Sequence, residues 1–206
     1  SGDYDQIECV LKRIGIDELD MYNGRALGTR NPPAIAESGT LFTDEKTLNS
    51  YHIVVVNCTD NQFQSLIGAR QVQQNLERYV GSGGRLYVTD WAYDIIEQVP
   101  EFSPYICFEP QKTGGAAMCM GGPEQAMSAD SYNSYGGQYK VLDDEMARWL
   151  GQFPGILDRM NRVKVEYSFV VVNKVADNSN GKTKVWVDGP ALTYGNRPQT
   201  VTLDYQ

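Results

Sequence analysis

The stretch that most constrains this 206-residue chain is residues 51–94, where an apolar run, a helical stripe, a glycine cluster and a second apolar run follow in order. Tyr51-His-Ile-Val-Val-Val-Asn57 is a continuous β-branched run bounded by polar residues, the pattern of a strand covered on both faces. Leu66, Ala69, Val72, Leu76, Tyr79 and Val80 then share one stripe and predict a helix over 65–80. Gly81-Ser-Gly-Gly84 stops that helix, and residues 85–89 form the next strand. The glycine cluster precedes a strand, whereas phosphate cradles follow a strand and open a helix, so it is no phosphate loop. A strand, a helix and a second strand in this order make a βαβ unit with parallel strands.

Around this unit the signals are weaker. Ile7, Val10, Leu11 and Ile14 fall at helical spacing and predict a helix over 5–15, with Ser1 or Asp3 as cap and Gly15 as its stop. Residues 16–50 carry Asn23-Gly24, Asn31-Pro-Pro33 and Ser38-Gly39, which predicts mostly loop with a short strand or two. Residues 90–94 read as the turn after the second strand, 93–99 as a short helix stopped by Pro100. Residues 100–140, rich in glycine and tyrosine and without a clear period, read as a long irregular insertion. A helix over 142–150 opens on Asp143, Asp144 and Glu145, which suit the positive end of its dipole. Strands are predicted over 163–175, 184–187 and 200–204, with Asn178-Ser-Asn-Gly181 a hairpin-type turn between the first two. No linker is visible, so a single domain spanning 1–206 is expected.

Charge and rare residues exclude several function classes. Lys and Arg number 18 against 26 Asp and Glu, a net charge of −8, and no basic block is present. Such a chain repels the phosphates of nucleic acid and of anionic membranes. Apolar runs of about four residues are far too short for a transmembrane helix. The sole histidine, His52, enters the first strand, and any triad with a histidine base would have to use it. The cysteines, Cys9, Cys58, Cys107 and Cys119, lack CxxC spacing, which removes zinc-finger and thioredoxin-type motifs. Cys107 and Cys119 flank a flexible loop and are the pair expected to bridge, with two buried thiols as the alternative. Such a bridge stabilises by about 3 kcal/mol in the chain-entropy account and belongs to an oxidising compartment.

The segment YHIVVVNCTDN…ARQVQQNLERYVGSGGRLYVTDWAYD resembles the strand–helix–Gly-Gly–strand core of the class I glutamine-amidotransferase-like superfamily, its ThuA-like group above all. YDQIECVLKRIG resembles the first helix of such domains. The likeness covers about residues 4–15 and 51–94. It implies a three-layer α/β fold with a mostly parallel sheet, flavodoxin-like or amidotransferase-like, here with a β-rich C-terminal extension. It also implies a fragment of a longer bacterial envelope protein, because the family's first strand and last glycine-rich strand have no counterpart. The family's chemistry is not implied. Where its nucleophilic cysteine stands on a strand-to-helix elbow, this chain reads Val88-Thr-Asp-Trp-Ala92, and no histidine follows.

Candidate site residues gather at the carboxyl ends of the two central strands, where open α/β sheets form ligand crevices. Asn57, Thr89, Asp90 and Trp91 would line the crevice, with Tyr135 reaching it from the insertion alongside other aromatics such as Phe102, Tyr105, Phe108, Tyr132 and Tyr139. Cys58 stands where a nucleophile could act, but His52 is six residues away, about 20 Å along a strand, and no cationic neighbour is in sight. Asp60, Asp90 and Asp94 could offer hard oxygen ligands to Ca²⁺ or Mg²⁺, while the simpler role for Asp90 is to cap the following helix. The expectation is therefore a non-catalytic interaction or ligand-binding module of an exported or surface-anchored bacterial protein. Its partner is a protein or a saccharide rather than a small-molecule substrate, and no cofactor is expected. The alternatives are a ThuA-like hydrolase or carbohydrate-processing enzyme using Cys58 or Asp90, and a divalent-metal-dependent adhesion domain.

Overall fold

A computed structural model describes residues 7–23, 36–57, 64–108, 134–169, 172–176, 179–191 and 195–205. Their contacts fall into two compact units, residues 1–101 and 102–205.

The first unit holds the βαβ core. Strands β3 (Ile53–Val56) and β4 (Arg85–Val88) pair in parallel, Ile53 opposite Arg85 and Val56 opposite Val88. The helical stripe expected over 65–80 is broken at Gly68-Ala69 into α4 (Gln64–Ile67) and α5 (Arg70–Gly81). In α5 the stripe Val72, Leu76 and Tyr79 is fully buried, and the helix packs against α2 (Ser38–Thr43), α3 (Glu45–Leu48) and α4. Buried Asn75 secures that contact by donating from Nδ2 to the carbonyls of Phe42 (2.9 Å) and Thr43 (3.2 Å).

The glycine cluster ends α5 for two separate physical reasons. Gly83 adopts φ +102°, while the Gly84 N–H reaches back to the Tyr79 carbonyl (2.9 Å) and the Gly83 N–H to that of Val80 (3.0 Å). This is the paired bonding of a Schellman stop. Gly84 is needed for space: a Cβ there would lie 2.3 Å from the Tyr79 ring. The same kind of stop closes α1 (Ile7–Arg13), where Gly15 has φ +88° and the Ile16 N–H bonds the Leu11 carbonyl (3.0 Å). Although α1 carries its apolar residues at helical spacing, it buries none of them. The unit is completed by the two-residue parallel pair β1 (Tyr22–Asn23) and β2 (Ala36–Glu37), a 3-10 turn at Asp90–Tyr93, and α6 (Asp94–Gln98).

The second unit is mainly antiparallel. Strands β6 (Ser134–Val141), β7 (Arg162–Phe169), β9 (Thr183–Pro190) and β10 (Asn196–Leu203) form a sheet in the order β10-β9-β6-β7. Helix α7 (Asp144–Leu150) covers it, with Tyr139, Val141, Ala147 and Val187 at the centre of the apolar cluster and Met146, Leu150 and Val163 against them. A separate antiparallel pair joins β5 (Ile106–Phe108) to β8 (Val172–Val175). Ser179–Lys182 makes the expected tight turn, with Asn180 at φ 51°, Gly181 at φ 81° and the Lys182 N–H on the Ser179 carbonyl (2.9 Å). It joins β8 to β9, yet these strands take other partners, β5 and β10, so the turn makes no hairpin.

The three-layer, mostly parallel, flavodoxin-like or amidotransferase-like sheet is thus overturned. Among the described residues, parallel pairing is confined to β1-β2 and β3-β4, and the largest sheet is antiparallel. After β4 the chain enters helix and turn, and the strands that follow pair antiparallel, β6 with β7 even across the intervening helix α7. The 100–140 insertion contains β5 at its start and the sheet strand β6 at its end. Among the described residues, no helix is long and apolar enough to cross a membrane.

Candidate functional site

The parallel pairing of β3 and β4 brings the next residue of each strand together. The Thr89 N–H bonds the Val56 carbonyl (3.0 Å), which sets Thr89 beside the exit of β3, where buried Asn57 follows. The backbone of Asp90 and Trp91 begins the 3-10 turn at that edge. Thr89 stands at the N-cap position of this turn and makes no side-chain cap bond. His52 is exposed at the opposite end of β3, where its carbonyl accepts from the Arg85 N–H (3.0 Å). Tyr135 belongs to β6 in the second unit, opposite Ser168. Cys58, Asp60 and Cys119 lie outside the described residues. Cys107, fully buried in β5, is disulfide-bonded, and Cys9 is an exposed thiol on α1.

One turn beyond the strand edge the structure joins Asp94, one of the expected oxygen ligands, to two residues given no role from the sequence, Glu97 and Gln98. Asp94, Glu97 and Gln98 stand on α6 at i, i+3 and i+4, a single helix face, and are 4%, 1% and 5% exposed. Gln98 Nε2 donates to Asp94 Oδ2. The remaining oxygens, Asp94 Oδ1, Glu97 Oε1 and Oε2, and Gln98 Oε1, are buried without any hydrogen-bond partner. Burial, reinforced by the neighbouring Asp94 charge, pushes the Glu97 carboxyl up to about 8. Burial likewise raises Asp94, with the Gln98 bond opposing it. Ala92-Tyr-Asp-Ile-Ile-Glu-Gln-Val99 reads as amphipathic, with its three polar residues on one face, so nothing in the sequence marks that face as buried. Among the described residues, no three His, Cys, Asp or Glu side chains group as a metal centre.

The second unit carries the opposite feature. After α7 the chain stays exposed, and Trp149 (56% exposed), Phe153, Ile156 and Met160 (59%) present apolar surface to solvent. Trp149 and Phe153 stack edge to face, with ring centroids 5.4 Å apart. The segment is held at both ends. Asp143 accepts from the Met146 N–H (2.6 Å) at the start of α7 and pairs with Lys184 (2.6 Å), and this cation holds its carboxyl below the usual carboxylate range. At the far end Asp158 pairs with Arg162 (2.7 Å). Arg148 and Arg159 flank the patch, exposed, and neither makes an ion pair among the described residues. The chain matches no family model, no curated protein and no solved structure.

Proposed function

We propose that this chain is a non-catalytic interaction module of an exported or surface-anchored bacterial protein, and that it docks a protein partner through the 149–160 segment. The observation that carries the reading is the Trp149, Phe153, Ile156 and Met160 patch with its two flanking arginines. Tryptophan, arginine and methionine are enriched at the energetic centres of protein interfaces, and solvated rings of this size contribute little to folding. A matching partner surface is apolar at its centre and carries carboxylates at its rim, where they meet Arg148 and Arg159. The disulfide at Cys107 supports residence in an oxidising compartment. From the amidotransferase-like resemblance this reading keeps the β3–α5–β4 unit alone. The scarcity of histidine, one in 206 residues, supports a role without triad chemistry.

The test uses a photo-crosslinking amino acid placed in the producing cell at exposed Gln152, with exposed Thr200 on β10 as the control position. Irradiation is expected to give one discrete protease-sensitive adduct from position 152. That adduct should be absent at position 200 and in the Trp149→Ala/Arg148→Glu background. Equal adducts from both positions, no adduct, or an adduct that resists protease and yields to glycosidase would overturn the reading.

A further inference from the structure

We propose that Asp94, Glu97 and Gln98 form a binding site for a divalent cation of the hard, oxygen-seeking class, Ca²⁺ or Mg²⁺. The argument starts from the polar inventory of α6. The three side chains, each at least nine-tenths buried, bring together five carboxyl and amide oxygens and one amide nitrogen. The nitrogen satisfies a single oxygen, Asp94 Oδ2, and four oxygens are left without a donor. Gln98 makes the cluster more than two acids on a helix. Its Nε2 is committed to Asp94, which places the amide head at the carboxylate and leaves Oε1 there as a further acceptor. Buried polar groups are paired in folded proteins almost without exception, and an acceptor left bare costs about 1–3 kcal/mol, more when charged.

Charge then selects the ligand class. Once both carboxyls give up their protons the pair carries −2, a charge that a divalent cation cancels as it displaces those protons. Carboxylate and amide oxygens are the ligands that Ca²⁺ and Mg²⁺ prefer. A thiophilic metal finds no sulfur or imidazole on this helix, and an apolar ligand would leave all four oxygens bare. The site follows the carboxyl end of β4, the end at which parallel sheets gather their ligands. It stands on the first unit alone and does not depend on the docking patch, so either proposal can fail while the other holds.

The test is thermal unfolding of the whole chain, stripped with chelator and desalted, then titrated with CaCl₂ or MgCl₂ against NaCl of equal ionic strength. Binding to the native state alone is expected to raise the Tm by about 5–10 °C between metal-free protein and a hundredfold excess over Kd. Amide exchange over residues 94–98 should slow in parallel. Glu97→Gln and Gln98→Met are each expected to lose the rise, while Glu145→Gln, an exposed acid on α7, keeps it. Metal-free Glu97→Gln is expected to melt at or above the parent, because it removes a buried acid whose ionised form only the cation satisfies. No rise with either cation beyond the NaCl control overturns the site, as does a rise that both α6 variants retain. If Glu97→Gln does not fold, the titration of Gln98→Met decides alone.

Discussion

Helices α6 and α7 both follow a strand closely and both open on acidic residues, yet they sort polar and apolar surface in opposite ways. In α6, two carboxyls and an amide are inside, and nothing among the described residues hydrogen-bonds Glu97. In α7 the acids face solvent or cap the helix, only Ala147 is fully buried, and the large ring of Trp149 is outside. Each arrangement costs stability relative to the usual sorting. A buried bare carboxylate is penalised by desolvation, and an exposed tryptophan forfeits the burial of a large apolar surface. Local rules of folding are broken at few places in a natural protein, and such breaks gather where something other than folding is being served. The two helices therefore locate two candidate sites by the same criterion with opposite sign.

The largest effect expected concerns the pH dependence that α6 imposes. Glu97 is held near 8 in the folded chain against an ordinary value of 4.5. Between those values the native state keeps a proton that the unfolded chain releases, so stability falls as pH rises from about 4.5 to 8 and then levels off. The shift corresponds to at most about 5 kcal/mol. In chelator, Glu97→Gln should unfold like the parent at pH 4 and be the more stable at pH 9, read by denaturant titration. Parallel profiles for the two proteins would remove the contrast between the helices.

Next in size is the apolar side of the same comparison. Ile95 is fully buried on α6, and Ile95→Ala is expected to cost about 3 kcal/mol in denaturant unfolding. A loss below about 1 kcal/mol would mean that α6 is not core, and its carboxyls would then be less buried than the structure has them. A smaller effect belongs to α7. Asp143→Ala removes both the bond from the Met146 N–H and the Lys184 pair, and should lower the Tm by about 2–4 °C. That loss should shrink as pH falls below about 4, where the carboxyl of the unfolded chain takes up its proton before that of the native state. Its pKa lies below the ordinary value, so its stabilisation is present above that value and fades as pH falls.

Much of the first unit was legible because its residues signal locally. The β-branched run of β3, the stripe of α5 and the Gly83-Gly84 stop each announce one element, and the structure forms all three. The second unit hid its central strand. Ser134-Tyr-Gly-Gly-Gln-Tyr-Lys-Val141 carries two adjacent glycines, which read as loop, yet these glycines serve close packing. A Cβ at Gly136 would lie 2.4 Å from the Glu166 carbonyl of the neighbouring strand. The Tyr139 ring lies where a Cβ on Gly189 of β9 would project, 2.0 Å away. Tyr135, Gly137, Tyr139 and Val141 do alternate at period two, a signal that the glycines mask. Without β6 the C-terminal strands read only as an extension of a mostly parallel sheet, not as an antiparallel sheet of their own. The candidate site shared this bias. The Thr89 N–H bonds the Val56 carbonyl as strand-edge geometry requires, while Glu97 is hidden in the sequence because an acid in a short helix is ordinarily solvated.

The smallest effect expected on stability is also the sharpest test of the contrast. Trp149 and Phe153 stack on each other but remain about half exposed, so replacing both by alanine removes little buried surface. Trp149→Ala/Phe153→Ala should change the unfolding free energy by no more than about 0.5–1 kcal/mol, the scale of one exposed aromatic pair. Ile95→Ala, a far smaller deletion, should cost several times more. A double variant that instead loses about 3 kcal/mol would show that the rings are core to the second unit. Their exposure would then no longer mark a docking surface. If the double variant keeps its Tm and loses the adduct formed from Gln152, stability and function separate on α7, as the placement of its side chains requires.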